Sequence, residues 1–193
     1  MTRRWTLRLA VCLVAGSVVL TGCSEKREAA QTLPSSSSAE PTEDELPPLG
    51  PADLPMPDEA RTQDAAGAEA FVRYYIELIN RTSTVMDAKP LRDLSDGCRD
   101  CDRIAGSTEE DAQAGKMYSG GEISISEVGK PFLKPGTAEL SLEADLAALT
   151  VTGPSGTVDQ GDSSSAFQGL TGGAAMRWEE QLKSWIMTAL TLE

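Results

Sequence analysis

The sequence predicts an α+β fold, with N-terminal helices packed on a curved antiparallel sheet of about four strands, preceded by an export signal and a disordered linker. Three observations carry this expectation. Apolar residues recur with helical period between Glu69 and Thr82. From Gly120 onward the period changes to two, the spacing of strands wet on one side. The helical stretches all precede the alternating ones, which favours helices gathered on one sheet face over a βαβ arrangement.

The first element is not part of that domain. Arg3, Arg4 and Arg8 lead into LAVCLVAGSVVL, a basic head before an apolar run of about a dozen residues, which suits an export signal and is too short to span a bilayer. Leu20-Thr21-Gly22-Cys23 then resembles the bacterial lipobox, in which small residues admit a peptidase and the cysteine thiolate takes a diacylglycerol. Residues 1–22 are therefore expected to be a lipoprotein signal peptide, with Cys23 lipidated and the chain held at the extracytoplasmic face of the cell membrane. TRRWTLR also resembles a twin-arginine export signal, with Thr6 where that pattern prefers an aromatic or aliphatic residue.

Residues 23–61 read as a tether. From Ser24 to Arg61 the chain holds seven prolines, a four-serine run and almost no aromatic or β-branched residues, so it buries too little apolar surface to offset its ordering. A flexible chain of that length averages roughly 35 Å end to end. Loss of Arg3, Arg4 and Arg8 with the signal takes the 17 basic residues to 14 against 30 acidic ones, a formal charge of -16. Such a surface repels polyphosphate, and nucleic-acid binding is not expected.

Of four cysteines, Cys12 leaves with the signal and Cys23 carries lipid, so Cys98 and Cys101 remain. In an oxidising exterior a lone close pair is expected to form a structural disulfide. Two other readings stay open. A redox-active pair would want a stabilised thiolate, whereas Asp100 and Asp102 would raise a nearby thiol's pKa. A zinc site would need two more good ligands, and the chain has no histidine.

Residues 62–193 read as one α+β domain. AEAFVRYYIELIN places Phe71, Tyr75, Leu78 and Thr82 on one helical stripe widened by Val72, Ile76 and Ile79. Asp87 is expected to cap a short helix with Pro90 in its first turn and Leu91 and Leu94 facing inward. Ser107 and Glu110 form a possible capping box and Gly115 a stop, leaving Cys101 to Gly115 either one helix containing Gly106 or two turns. In the strands, Ile123 and Ile125 share a face, and Ala138, Leu140, Leu142, Ala144 and Leu146 alternate with polar residues. A phase slip near Ala147 to Leu149 suggests a bulge, and GPSGTVDQGDSSS reads as a loop. AFQGL reads as a short strand. The last twenty residues read as a hairpin, Met176 and Trp178 facing in on one strand and either Trp185, Met187 and Ala189 or Ile186, Thr188 and Leu190 on the other.

The lipobox, the acidic Pro/Ser tether, EAFVRYYIELIN, KPLRDLSDGCRDCDRI and Gly120-Gly121 together resemble a family of actinobacterial lipoproteins built on a domain of unknown function, over roughly Glu69 to Glu193. The departure is RTSTVMDAKP, where the resemblance implies a more aromatic helix end and a glycine before Asp87. The architecture also looks like the nuclear-transport-factor-two-like cone, in which helices close over a curved sheet and leave a mouth. That resemblance implies no particular activity, because the cone hosts enzymes and inert modules alike.

The favoured reading is a non-catalytic binding or scaffold module, without cofactor or metal, whose pocket of Phe71, Tyr75 and Trp178 takes an apolar ligand or an envelope protein partner. A first alternative is a small enzyme pairing Asp145 or Glu179 with Tyr74 or Tyr75 as acid and base. A second is a thiol-disulfide oxidoreductase at Cys98 and Cys101. The Asn80-Arg81-Thr82 sequon falls on the expected helix and reads as chance.

Overall fold

One 21-residue helix, α1 (Ala65–Val85), packs against both other helices, the 3-10 turn and strands of both sheets in a computed structural model that describes residues 46–193. The expected signal peptide, the expected lipidation at Cys23 and the expected tether up to residue 45 lie outside the described residues. Asp64 caps α1 by accepting from the Gly67 amide at 2.8 Å. Its buried stripe is the one the periodicity predicts: Phe71, Val72, Tyr75, Ile76, Leu78, Ile79 and Thr82, with Tyr74 added. Two shorter helices follow, α2 (Lys89–Asp93) and α3 (Arg99–Gln113).

The strands are β1 (Met117–Gly120), β2 (Ile123–Val128), β3 (Phe132–Lys134), β4 (Thr137–Leu146), β5 (Leu149–Thr152), β6 (Val158–Ser164), β7 (Phe167–Glu179) and β8 (Ser184–Leu192). The main sheet runs β2-β4-β7-β8, the expected four strands, with β3 added beside β4; every pairing is antiparallel. Its inner face sets Ala138, Leu140, Leu142, Ala174, Met176 and Met187 against α1. The fold is thus α+β, with helices on one face of the sheet.

A second sheet, β1-β5-β6, was not foreseen. The phase slip after Leu146 is a corner rather than a bulge. There Gly120 and Gly121 (φ 78° and 82°) turn the chain from β1 into β2, while Ala147 and Ala148 carry β4 into β5. The two corners bond each other, Gly121 N donating to Ala148 O at 3.0 Å and Ala147 N to Glu122 O at 2.9 Å. A Cβ at Gly120 would collide with Ala148 O, so this crossing needs glycine. The polar run read as a loop contains β6, which pairs with β5; the loop proper spans only 153–157. β8 follows neither predicted set. Ala175 pairs with Ala189 but Met176 with Met187, so Thr188 bulges out. Trp185 and Met187 face in before the slip and Leu190 after it.

Two helix ends also differ from expectation. Ser107 and Glu110 form no capping box, because α3 runs unbroken through Gly106 from a start at Cys98. Its inner face is the row Cys101, Ala105 and Thr108, small side chains that allow close approach. Gly115 (φ 69°) does end it: Lys116 N reaches Asp111 O at 2.9 Å and Gly115 N reaches Ala112 O at 3.0 Å. The cap of α2 is Ala88 and not the expected Asp87, whose carboxylate accepts from the Lys89 amide at 3.2 Å one residue too early; Leu91 and Leu94 are buried as expected.

The last part of the expected tether is not a tether. Residues 46–61 are folded onto the domain, ending in a 3-10 turn, Asp58–Arg61. Met56 and Ala60 enter the core, and Tyr74 donates to Leu54 O at 3.1 Å. Arg61, only 8% exposed, donates to Pro47 O at 2.7 Å, Leu182 O at 2.7 Å and Lys183 O at 3.4 Å, tying this strap to the β7–β8 turn. A bidentate Arg81–Asp53 pair at 2.8 Å fastens it to α1.

The helix end flagged by the family resemblance is also where the backbone is strained. Met86, at the position where a glycine was expected, is the C-cap of α1 with φ 56° and ψ 36°. A left-handed non-glycine residue costs about 1 kcal/mol, so Met86→Gly is expected to stabilise the protein by about 0.5–1 kcal/mol, net of lost contacts from a half-buried side chain. Urea midpoints for the two proteins check this; an unchanged or lower midpoint would show that Met86 packing outweighs the strain.

Candidate functional site

The residues expected to line a pocket do not come together as one. Phe71 and Tyr75 are completely buried, their rings 6.0 Å apart, and the Tyr75 hydroxyl donates to Leu91 O at 3.2 Å. Trp178 is half-buried and stands edge-on to Trp185 at 5.4 Å. None of the three borders a cleft that opens between the helices and the sheet, nor a second, larger hollow between residues 48–51 and α2. Large rings on the central stripe fill the middle of the core, so the opening falls where smaller chains end.

That cleft has a volume of about 260 Å³ and lies between α3 and the ends of β7 and β8. Its floor is aliphatic: Ile79 from α1, Ile104 from α3, Ile123 from β2, Leu146 from β4, Leu170 from β7, and Leu190 and Leu192 from β8. Its rim is charged, with Arg99, Asp100 and Arg103 on α3 and Glu193 after β8. Asp100 is engaged by Arg103 at 3.3 Å.

Three local arrangements hold the cleft's walls. Cys98 and Cys101 are joined in a disulfide, each 1% exposed, with Cα atoms 5.2 Å apart. The Cys98 sulfur caps α3 by accepting from Cys101 N at 3.3 Å, which sets the register that puts Arg99, Arg103 and Ile104 at the cleft. A four-residue disulfide loop contributes about 2 kcal/mol by chain entropy. Asn80 fixes the start of β2 by donating to Ile123 O at 2.9 Å and accepting from Ile123 N at 2.8 Å. The sequon's asparagine is thereby occupied by backbone. Thr171 and Glu193 exchange two backbone hydrogen bonds of 2.9 Å, which hold the chain end against β7.

The groups weighed as acid and base are not placed as partners. Asp145 accepts from Gly169 N at 2.8 Å. Glu179 is paired with Arg177 at 2.7 Å, whose hydrogen bond holds the carboxyl below its usual range, the reverse of what a general acid needs. The Tyr74 and Tyr75 hydroxyls bond backbone carbonyls, and burial pushes both up to about 12. A further ionic cluster is centred on Lys116, bridged to Asp111 at 3.1 Å, to Asp159 at 3.4 Å and to Asp162. The lysine fills the centre of those carboxylates, and they tie the end of α3 to β6. No group of potential metal ligands occurs among the described residues, and no described helix is long and apolar enough to cross a membrane.

Sequence reasoning missed Arg99, Ile104, Leu170 and Asn80. The available signal was the four-residue spacing of Arg99, between the two cysteines, and Arg103, just after them, which sets two cations on one helix face.

No family model and no curated protein matches the chain. Among the solved structures that resemble it are the following three. The intermembrane space region of the chloroplast protein ARC6 matches at 16% identity and a TM-score of 0.49, over 68% of this chain and 97% of that one. A five-substitution variant titled Rd1NTF2_05 matches at 11% identity and a TM-score of 0.37, over 65% and 99%. Aln2 from a Streptomyces species matches at 13% identity and a TM-score of 0.37, over 68% and 93%. None of the three informs the chemistry of the cleft.

Tyrosine ionisation reports on this packing. A phenol raised from 10.0 to about 12 keeps its proton in the folded state where the unfolded chain would lose it. The stability this confers is complete below about pH 10 and declines as pH rises towards about 12. Burial and an Asp111 hydrogen bond raise Tyr118 as well. Phenolate absorbance is therefore expected to stay low at pH 10 to 11 and to rise together with unfolding. Reversible ionisation of all three tyrosines near pH 10 in a folded protein would contradict the described core.

Proposed function

We propose that the chain is a non-catalytic binding module, exported and tied by a lipid on Cys23 to the extracytoplasmic face of the cell membrane, and that the cleft between α3 and β7–β8 receives an apolar ligand. The observation that carries the reading is the cleft itself: an aliphatic floor drawn from six elements, opening to solvent beneath a charged rim. Of the groups weighed as acid and base, Asp145, Glu179, Tyr74 and Tyr75 are each engaged in a hydrogen bond or ion pair, which supports the non-catalytic reading. A thiol-exchange role is poorly served by Cys98 and Cys101, both 1% exposed and built into a helix cap. The membrane link rests on the lipobox-like Leu20-Thr21-Gly22-Cys23, and the tether of residues 23–45 gives the domain reach.

Two measurements test the two halves of the reading. Membrane fractionation of cells is expected to find the wild-type chain in the envelope pellet and Cys23→Ser in the soluble exported fraction; equal partition would remove the anchor. Incubation of the full chain with an envelope lipid extract, followed by mass spectrometry, is expected to recover bound apolar molecules. Leu190→Gln, which puts an amide into the floor, is expected to lose them, whereas a protein that stays empty would end the ligand reading.

A further inference from the structure

We propose that the cleft is a site for a single-chain fatty carboxylate, its acyl chain lying on the aliphatic floor and its carboxylate meeting the Arg99 guanidinium. This rests on the reading of the cleft as a ligand site and adds the ligand's class. Two features select the tail. Among the described residues no aromatic side chain borders the cleft, so none of them offers a ring face for stacking a flat or fused-ring ligand. The branched ends of isoleucine and leucine suit a flexible saturated chain, and about 260 Å³ is small for a ligand cavity, which favours one chain over two.

The rim selects the head. Arg99 stands apart from the other described arginines. Arg73, Arg81, Arg92, Arg103 and Arg177 each pair with a carboxylate, and Arg61 is spent on backbone carbonyls. Among the described residues Arg99 has neither kind of partner. An uncompensated guanidinium is conspicuous on a chain whose formal charge is -13. It sits in the first turn of a 15-residue helix, where the backbone dipole adds positive potential beside the cleft. Asp100 does not cancel it, being turned to Arg103. Glu193 also lines the cleft, and its negative charge disfavours a headgroup of higher negative charge, so a monoanionic carboxylate fits better than a phosphate dianion. A guanidinium receives a carboxylate bidentately, so charge and geometry agree.

Isothermal titration of the full chain at neutral pH with decanoate, 1-decanol and decyltrimethylammonium separates tail from head. Decanoate is expected to bind tightest. Arg99→Ala should weaken decanoate about three- to tenfold, a modest loss because the guanidinium is exposed, while leaving 1-decanol unchanged. Glu193→Gln should tighten decanoate by a similar factor, in the opposite direction. Equal affinity for decanoate and 1-decanol would overturn the carboxylate assignment and leave the apolar cleft standing. Preference for the ammonium compound would overturn it too and make Glu193 the headgroup partner. Failure of all three to bind would remove the ligand reading along with this one.

Discussion

Burial of one continuous apolar stripe on α1 against the bent sheet is the constraint from which the rest follows. Phe71, Tyr75 and Leu78 reach zero exposure because Leu140, Leu142 and Met176 meet them from β4 and β7, and Leu91 closes the side. Each such side chain contributes about 1.5–3 kcal/mol relative to exposure, far more than any surface ion pair in the molecule. The flanks of the same helix then do the positioning. Tyr74 and Arg81 hold the strap at residues 46–61, and Asn80 holds the first residue of β2.

The cleft is a consequence of that arrangement. The sheet turns away at Gly120-Gly121 and Ala147-Ala148, α1 covers its middle, and α3 stands over its other end, so an apolar strip stays uncovered between α3 and β8. The disulfide matters here through placement. By making Cys98 the cap of α3, it fixes which face of that helix carries Arg99 and Ile104 toward the opening.

Much of this was legible where the signal is periodic. The stripe on α1 and the alternation along β4 appear in the sequence because one face of each element is buried along its whole length. Features decided by tertiary contact were not legible. The prolines of residues 47–57 read as a tether, yet Arg61 and Tyr74 supply the partners that order them. β6 is polar on both faces, and only its pairing to β5 makes it a strand. Ser107 and Glu110 have the residue types of a capping box, but the helix had already begun at Cys98. Aromatics were the natural pocket candidates by size, and size is what sends Phe71 and Tyr75 to the centre instead. The cleft's floor gathers residues from Ile79 to Leu192, a grouping that no local window contains.

Native-state amide exchange tests the central claim most directly. If α1 and the sheet share one core, the amides of residues 71–82 and those of β4 and β7 exchange last, through the same global opening and with the same urea dependence. Exchange from α1 that is much faster than from the sheet, and insensitive to urea, would mean that the helix is a cover rather than the keystone, and the cleft would lose the wall on which it is built.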